Sequence, residues 1–413
     1  MNYPDVITRF LRNDERMLPV SNTMYPFVIE AKEQKSFEFL KNFLASHSTE
    51  ILADLSRYGA VLLRGFDVKT TEIFEQTILS IRGMQGMSHF FMSEPGRVAV
   101  DNLKYVYHTN TKVKTGGGMT LGGFHNENYY SPDVPSYISF FCLKPPKRGG
   151  ETGLIHMGKV YEKLDAAIKE KLEKKAFIVA RWPLSFIADR YKIQKETAQK
   201  ICEEFGLTIA NNDFVVMNKP SVINDVTSSQ KKIIQANLCA ELPSLNEEIL
   251  KLFLKEYRGL KWIFHKIIWT CLGYNKQKKW TFMLNSFLAN PKLFLKNRKE
   301  MAKKLHQYKA MQSMRIGSVF KDEDLPILAR LMKENYSGFT WQANDVLLVD
   351  NLQVAHAGMP GISNKKHPRE IRAMLCNPLK LDYSAKAAGI QLRQEACAET
   401  LGEKMFNRAF DRF

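Results

Sequence analysis

The sequence predicts an α+β fold, and three observations carry that expectation. Short apolar runs closed by turn residues recur along the chain, helical periodicity fills much of what lies between them, and a long lysine-rich stretch in the second half is helical in pattern. Each element follows from its residues. Residues 1–60 read as a lead-in with helix, because Ser36 to Leu44 and then Ile51, Leu52 and Leu55 repeat apolar side chains at helical spacing. Gly59-Ala60-Val61-Leu62-Leu63-Arg64-Gly65-Phe66 is a short apolar run ending in a turn residue, the mark of a buried strand. Thr71 to Ile81 is helical again, with Thr71 as its N-cap and Phe74, Ile78 and Ile81 on one side.

Thr115-Gly116-Gly117-Gly118 marks a loop. It is not a phosphate loop, because no lysine and serine follow in the required order. After Phe124 to Tyr130 comes a turn at Ser131 to Pro135. Tyr137 to Leu143 is then a continuous apolar strand, closed by Pro145-Pro146 and Gly149-Gly150. Residues 156–205 return to helical character, and Phe214 to Met217 reads as a strand. From about Leu242 to Met311 the aromatic residues Trp262, Phe264, Trp269, Trp280 and Phe282 interleave with lysines, as on a helix face packed against a core. Phe339 to Gln342 and Val346 to Asn351 give two strand signals around a turn, with His356 just past the second. Ile371 to Leu375 is a further strand, preceded by Arg369, and the tail from Ser384 to Phe413 is helical in pattern. Without internal repeats, the expectation is a single domain over 1–413. It carries a lysine-rich helical insertion at about 241–312 and a helical C-terminal tail at about 384–413.

A chain of 413 residues with 45% apolar content can bury a large core. No apolar run is long enough to span a bilayer, and Met1-Asn2-Tyr3-Pro4-Asp5 lacks a signal peptide's apolar segment, so a cytoplasmic protein is expected. The six cysteines are scattered with no C-x-x-C pair, which suits reduced thiols and excludes a zinc ribbon. The net charge of +17 comes from lysines dispersed along helical patterns, with no nucleic-acid-reading motif. No nucleic acid partner is expected; an acidic protein or anionic surface is the other use of such charge.

The chemistry centres on Phe124-His125-Asn126-Glu127-Asn128-Tyr129-Tyr130. On an extended strand, side chains at i and i+2 share a face, so His125 and Glu127 can reach one point. With a second histidine from elsewhere they make a 2-His-1-carboxylate triad, which holds one face of an octahedral iron and leaves the other open. Alone, H-x-E is a weak signal, equally the mark of a solvated strand carboxylate.

Several separated pieces together resemble the Fe(II)/2-oxoglutarate-dependent dioxygenases of the TauD/TfdA superfamily, and within it the clavaminate-synthase-like and SyrP-like branch. The pieces are Gly59 to Phe66, His125 to Ser131, Phe141 to Pro145 with Gly149-Gly150-Glu151-Thr152, and Trp341-Gln342 with Asp345 to Leu348. Asp350-Asn351, Val354-Ala355-His356 and Arg369-Glu370-Ile371 complete them, in the family's order. The resemblance implies a double-stranded β-helix (jelly roll) core with surrounding helices and the long helical insertion. It implies His125, Glu127 and His356 as the iron ligands and catalytic centre, with 2-oxoglutarate and O2 as cosubstrates. Arg369 would clamp the distal carboxylate of 2-oxoglutarate with its planar, permanently charged fork, and Thr152 would add its hydroxyl. Asn128, Tyr129, Thr109 and Thr111 fall near the family's active-site mouth. Arg372, on the same strand signal as Arg369, is the rival arginine. Asp350-Asn351 would organise the turn before His356. The implied reaction is oxidation of a small molecule, such as an amino acid or an aminoacyl group on an acidic carrier protein, with release of succinate and CO2. Two other readings stand beside it: a non-catalytic jelly roll that binds an anionic partner through its basic insertion, and a zinc hydrolase that uses the same triad. Neither needs Arg369 with Thr152.

Overall fold

In the computed structural model the apolar runs become the strands of two facing sheets. The structure describes residues 3–19, 24–88, 99–109, 123–129, 134–174, 176–191, 193–204, 207–210, 214–220, 222–224, 232–234, 238, 242–263, 266, 291, 295, 319–362 and 368–378. The first half of the chain supplies strands β1 (Val6–Phe10), β2 (Phe27–Ala31), β3 (Ala60–Arg64), β4 (Val106–His108), β5 (Pro135–Lys144), β6 (Arg148–Gly149) and β7 (Thr152–His156). The middle supplies β8 (Ala176–Pro183), β9 (Thr208–Ala210), β10 (Phe214–Pro220), β11 (Val222–Asn224) and β12 (Lys232–Ile234). The last stretch supplies β13 (Tyr336–Ser337), β14 (Val346–Asp350), β15 (Val354–Gly358), β16 (Gly361–Ile362) and β17 (Glu370–Pro378).

The larger sheet runs β1-β2-β3-β14-β5-β17-β4, antiparallel except where β2 meets β3. Opposite it stands β13-β7-β15, with β6 and β16 paired nearby. Together they form the jelly-roll core of a mixed α/β protein. Side-chain parity shows how the two faces are used. Along β14, Leu347 and Val349 enter the core shared with Leu154 of β7 and Val354 of β15. Val346 and Leu348 point the other way, onto Leu40, Phe43, Ile51, Leu55, Phe74 and Ile78 of the helices Phe37–Ser46, Ser48–Tyr58 and Thr71–Leu79. The smaller sheet is backed in turn: Ile155, Ala355 and Ala357 meet Leu245, Ile249, Phe253 and Leu328 of the helices Pro243–Leu254 and Asp324–Glu334. Strands covered on both faces have no solvated side, so their sequences read as unbroken apolar runs.

Some expectations are corrected. The lead-in also holds β1 and β2. Thr70, not Thr71, caps the third helix, its hydroxyl accepting from the Ile73 amide. The expected helical span 156–205 contains β8, which pairs with β10. Phe339 to Gln342 is not a strand: Phe339 and Trp341 are buried edge-to-face at 4.7 Å, while the Thr340 amide donates to Glu15 O at 2.7 Å. Packing and one long-range hydrogen bond replace a ladder there. Within the expected insertion, Trp262 is buried against Tyr257. Phe264, Trp269, Trp280, Phe282 and the tail at 384–413 lie outside the described residues. Among the described residues no helix is long and apolar enough to cross a membrane.

Candidate metal centre

Val354 on β15 enters the core between the sheets, while Ala355 and Ala357 face outward, so parity sends His356 inward. Its ring stands edge-on to Phe140 of the opposite sheet, centroids 5.2 Å apart. His125 joins β15 through a single antiparallel bridge. The His125 amide donates to His356 O at 3.1 Å and the His356 amide returns to His125 O at 2.8 Å. This brings the two imidazoles to 4.6 Å between centroids. Glu127 arrives differently from the strand expectation. It opens a turn in which Asn128 adopts a left-handed φ of 52°, so the carboxylate is delivered by a turn instead of by period-two alternation. The convergence holds all the same: one ligand atom from each of His125, Glu127 and His356 lies within 4.8 Å of the others.

The donor set fits a divalent ion. Nε2 of His125 and Nε2 of His356 stand 3.8 and 3.5 Å from the same oxygen, Glu127 Oε2. Both separations exceed the roughly 2.7–2.9 Å of a charge-assisted hydrogen bond. They are closer to the roughly 3 Å expected between neighbouring ligands when each is about 2.1 Å from one metal. His125 Nδ1 is 2.8 Å from the carbonyl of Gly123, which can only accept, so Nδ1 carries the hydrogen and Nε2 keeps its lone pair toward the cluster. Glu127 is 1% exposed, and an ionised carboxylate so deep in the protein calls for a cationic partner.

Arg369 and Thr152 flank the double-glycine turn. Gly149 and Gly150 have φ of 61° and 66°, and a Cβ on Gly149 would meet Pro360 O at 2.5 Å and Trp262 at 3.0 Å, so only glycine makes this turn. Arg369 Nε donates to Gly150 O at 2.7 Å, its only hydrogen bond among the described residues, which leaves both terminal nitrogens uncommitted. Burial lowers its pKa to about 10, while Cys142 and Glu151 act the other way. Thr152 pairs with Gly358 across β7 and β15, which places it on the face that carries His356.

The remaining expected residues divide. Asn128 and Tyr129 continue the Glu127 turn and are buried. Thr109 follows β4, its hydroxyl donating to Ile371 O at 3.0 Å. Arg372 is a correction: it pairs with Phe141, which packs on the helices, so it lies on the sheet face opposite His356 and bonds Glu370 at 3.3 Å. Thr111 lies outside the described residues. Sequence reasoning includes Glu151 within the Gly149-Gly150-Glu151-Thr152 piece but gives it no role; it is fully buried just before β7, where burial pushes its carboxyl up to about 7 and the Tyr336 hydroxyl donates to it at 3.4 Å.

The sequence profile of the taurine catabolism dioxygenase TauD, TfdA family matches residues 21–249, more than half of the chain. The chain belongs to this family. It is a dioxygenase, with ferrous iron as cofactor and 2-oxoglutarate and O2 as cosubstrates. The match ends before His356 and Arg369, so those two positions rest on geometry. Among solved structures the TauD-family chain is similar to a taurine dioxygenase from Burkholderia xenovorans, with 14% identity, 92% of each chain covered and a TM-score of 0.44. It is also similar to the PvcB protein from Pseudomonas aeruginosa, with 12% identity, 91% of this chain and 92% of that one covered, and a TM-score of 0.47. A comparison with curated proteins gives no match.

Proposed function

We propose that His125, Glu127 and His356 hold the ferrous ion as a facial triad, and that Arg369 with Thr152 receives the distal carboxylate of 2-oxoglutarate. The observation that carries this reading is the convergence of three donor side chains, from two segments far apart in sequence, on one buried point. Iron with 2-oxoglutarate supplies, when bound, oxygen activation and oxidation of a carbon–hydrogen bond, with succinate and CO2 as coproducts. The chain's own residues do the rest. The Gly123 carbonyl orients His125, the bridge to β15 fixes both histidines, and Phe140 keeps water from the side of His356. Arg369, steadied by Gly150 O, offers two parallel donors to a carboxylate. Asn128, Tyr129 and Thr109 line the substrate side.

The substrate in this reading is a small molecule, an amino acid free or carried on an acidic protein. The charge of +17 supports an acidic partner. A cytoplasmic location suits the free, buried thiols of Cys142, Cys202 and Cys376. The test is anaerobic addition of Fe(II) and 2-oxoglutarate. A weak visible charge-transfer band, absent in His125→Ala and weakened in Arg369→Leu, is expected; no band and no succinate on admitting oxygen would defeat the proposal. Substrate-stimulated succinate release, screened over free and carrier-bound amino acids, then names the substrate.

A further inference from the structure

Asn351 is fully buried in the turn between β14 and β15, and among the described residues its side-chain hydrogen bonds do not go to the donor side chains. It reaches the backbone of Glu127 instead. The Glu127 amide donates to Asn351 Oδ1 at 2.6 Å, and Asn351 Nδ2 donates to Glu127 O at 3.0 Å and to Pro135 O at 2.8 Å. The orientation of the amide is fixed by its partners: an N–H faces Oδ1, and two carbonyls, which only accept, face the two hydrogens of Nδ2. A second asparagine reciprocates, Asn126 Nδ2 donating to Asn351 O at 2.6 Å. The Asn351 amide itself donates to Ser136 O at 2.9 Å, tying the lock to β5.

Glu127 sits in a turn and is almost wholly buried, so its N–H and C=O would be costly to leave unpaired. Asn351 behaves as one extra peptide unit, satisfying both groups at once and holding the Cα–Cβ direction of the carboxylate. The two donor segments are thereby joined three times, by the His125–His356 backbone bridge, by the Asn351–Glu127 side-chain bridge and by the Asn126–Asn351 bond.

We propose that Asn351 is a positioning residue that sets the Glu127 carboxylate for metal binding. This rests on the reading of Glu127 as a ligand, and the experiment separates the two. Mn(II) affinity is measured by electron paramagnetic resonance for wild type, His125→Ala, Asn351→Ala and Asn351→Asp, with circular dichroism and metal-free melting alongside. Asn351→Asp keeps the acceptor and the volume but turns an oxygen toward two carbonyls. If wild type binds no Mn(II), or His125→Ala binds as well as wild type, the ligand reading fails and the positioning role with it. If wild type binds, both Asn351 variants are expected to fold and to bind about 10–100-fold more weakly, with an altered Mn(II) spectrum. Folded variants with wild-type affinity and spectrum would overturn the positioning role alone. Failure of both to fold would also overturn it, making Asn351 a staple of the whole sandwich.

Discussion

Replacing Arg64 with methionine tests the buried ion network at the rim of the sandwich. Arg64 ends β3 with its side chain 2% exposed, and its guanidinium spans two carboxylates: Glu15 Oε1 at 2.6 Å, and Asp345 Oδ1 and Oδ2 at 3.0 and 2.7 Å. A further donor reaches Thr340 O at 3.1 Å. Methionine keeps an apolar stem against Phe339, whose ring the guanidinium overlies at 5.5 Å, but strands Asp345, which is 1% exposed. Glu15 fares better because Arg9 still holds it at 2.7 Å. Breaking a buried pair from one side costs about 3–5 kcal/mol. Across 413 residues, an unfolding entropy of about 2.1 cal/mol/K each gives about 0.9 kcal/mol/K, so the melting midpoint should fall by about 3–6 °C. Adding Asp345→Asn removes the stranded charge and should recover at least half of that loss. Differential scanning calorimetry decides it. A shift under 1 °C for Arg64→Met, or a double variant no better than the single one, would refute the reasoning.

Two further outcomes are expected. Glu151 has its pKa raised by burial from the ordinary 4.5 to about 7, so its stabilising contribution is complete below pH 4.5 and is lost as pH rises through 7. Glu151→Gln should therefore melt about 3–4 °C above wild type at pH 8 and close to it at pH 4.5, following from about 3 kcal/mol; equal melting at both pH values would contradict this. Arg369→Lys retains the charge but gives up the fork, and losing one charge-assisted hydrogen bond should raise the KM for 2-oxoglutarate about 10–150-fold in succinate formation. An unchanged KM would remove Arg369 from that role.

Much of the fold was legible because doubly covered strands leave no ambiguity in their sequences. Val346 to Asp350 and Tyr137 to Leu143 could hardly be other than core strands. What escaped had mixed signals. Val6-Ile7-Thr8-Arg9-Phe10 carries a charge whose partners, Glu15 and Glu30, appear only in three dimensions. Ala176–Pro183 is a strand because β10 pairs with it, which no local window reports. At the site, His125, Glu127 and His356 were visible as residue types, but the turn that delivers Glu127 was not, since it depends on Asn351, distant in sequence. Arg369 and Arg372 could not be assigned to faces by spacing alone, because β17 shifts register between Glu370 and Ile371. The Gly149-Gly150 turn was read as punctuation; that Trp262 and Pro360 crowd it so closely comes from packing.

The most direct test of the central claim is a crystal structure grown without oxygen in the presence of Fe(II), with data collected at the iron edge. One anomalous peak is predicted, about 2.1 Å from Nε2 of His125, Nε2 of His356 and a carboxylate oxygen of Glu127. A peak centred on other residues, or an occupied site from which any one of the three side chains stands apart, would contradict it.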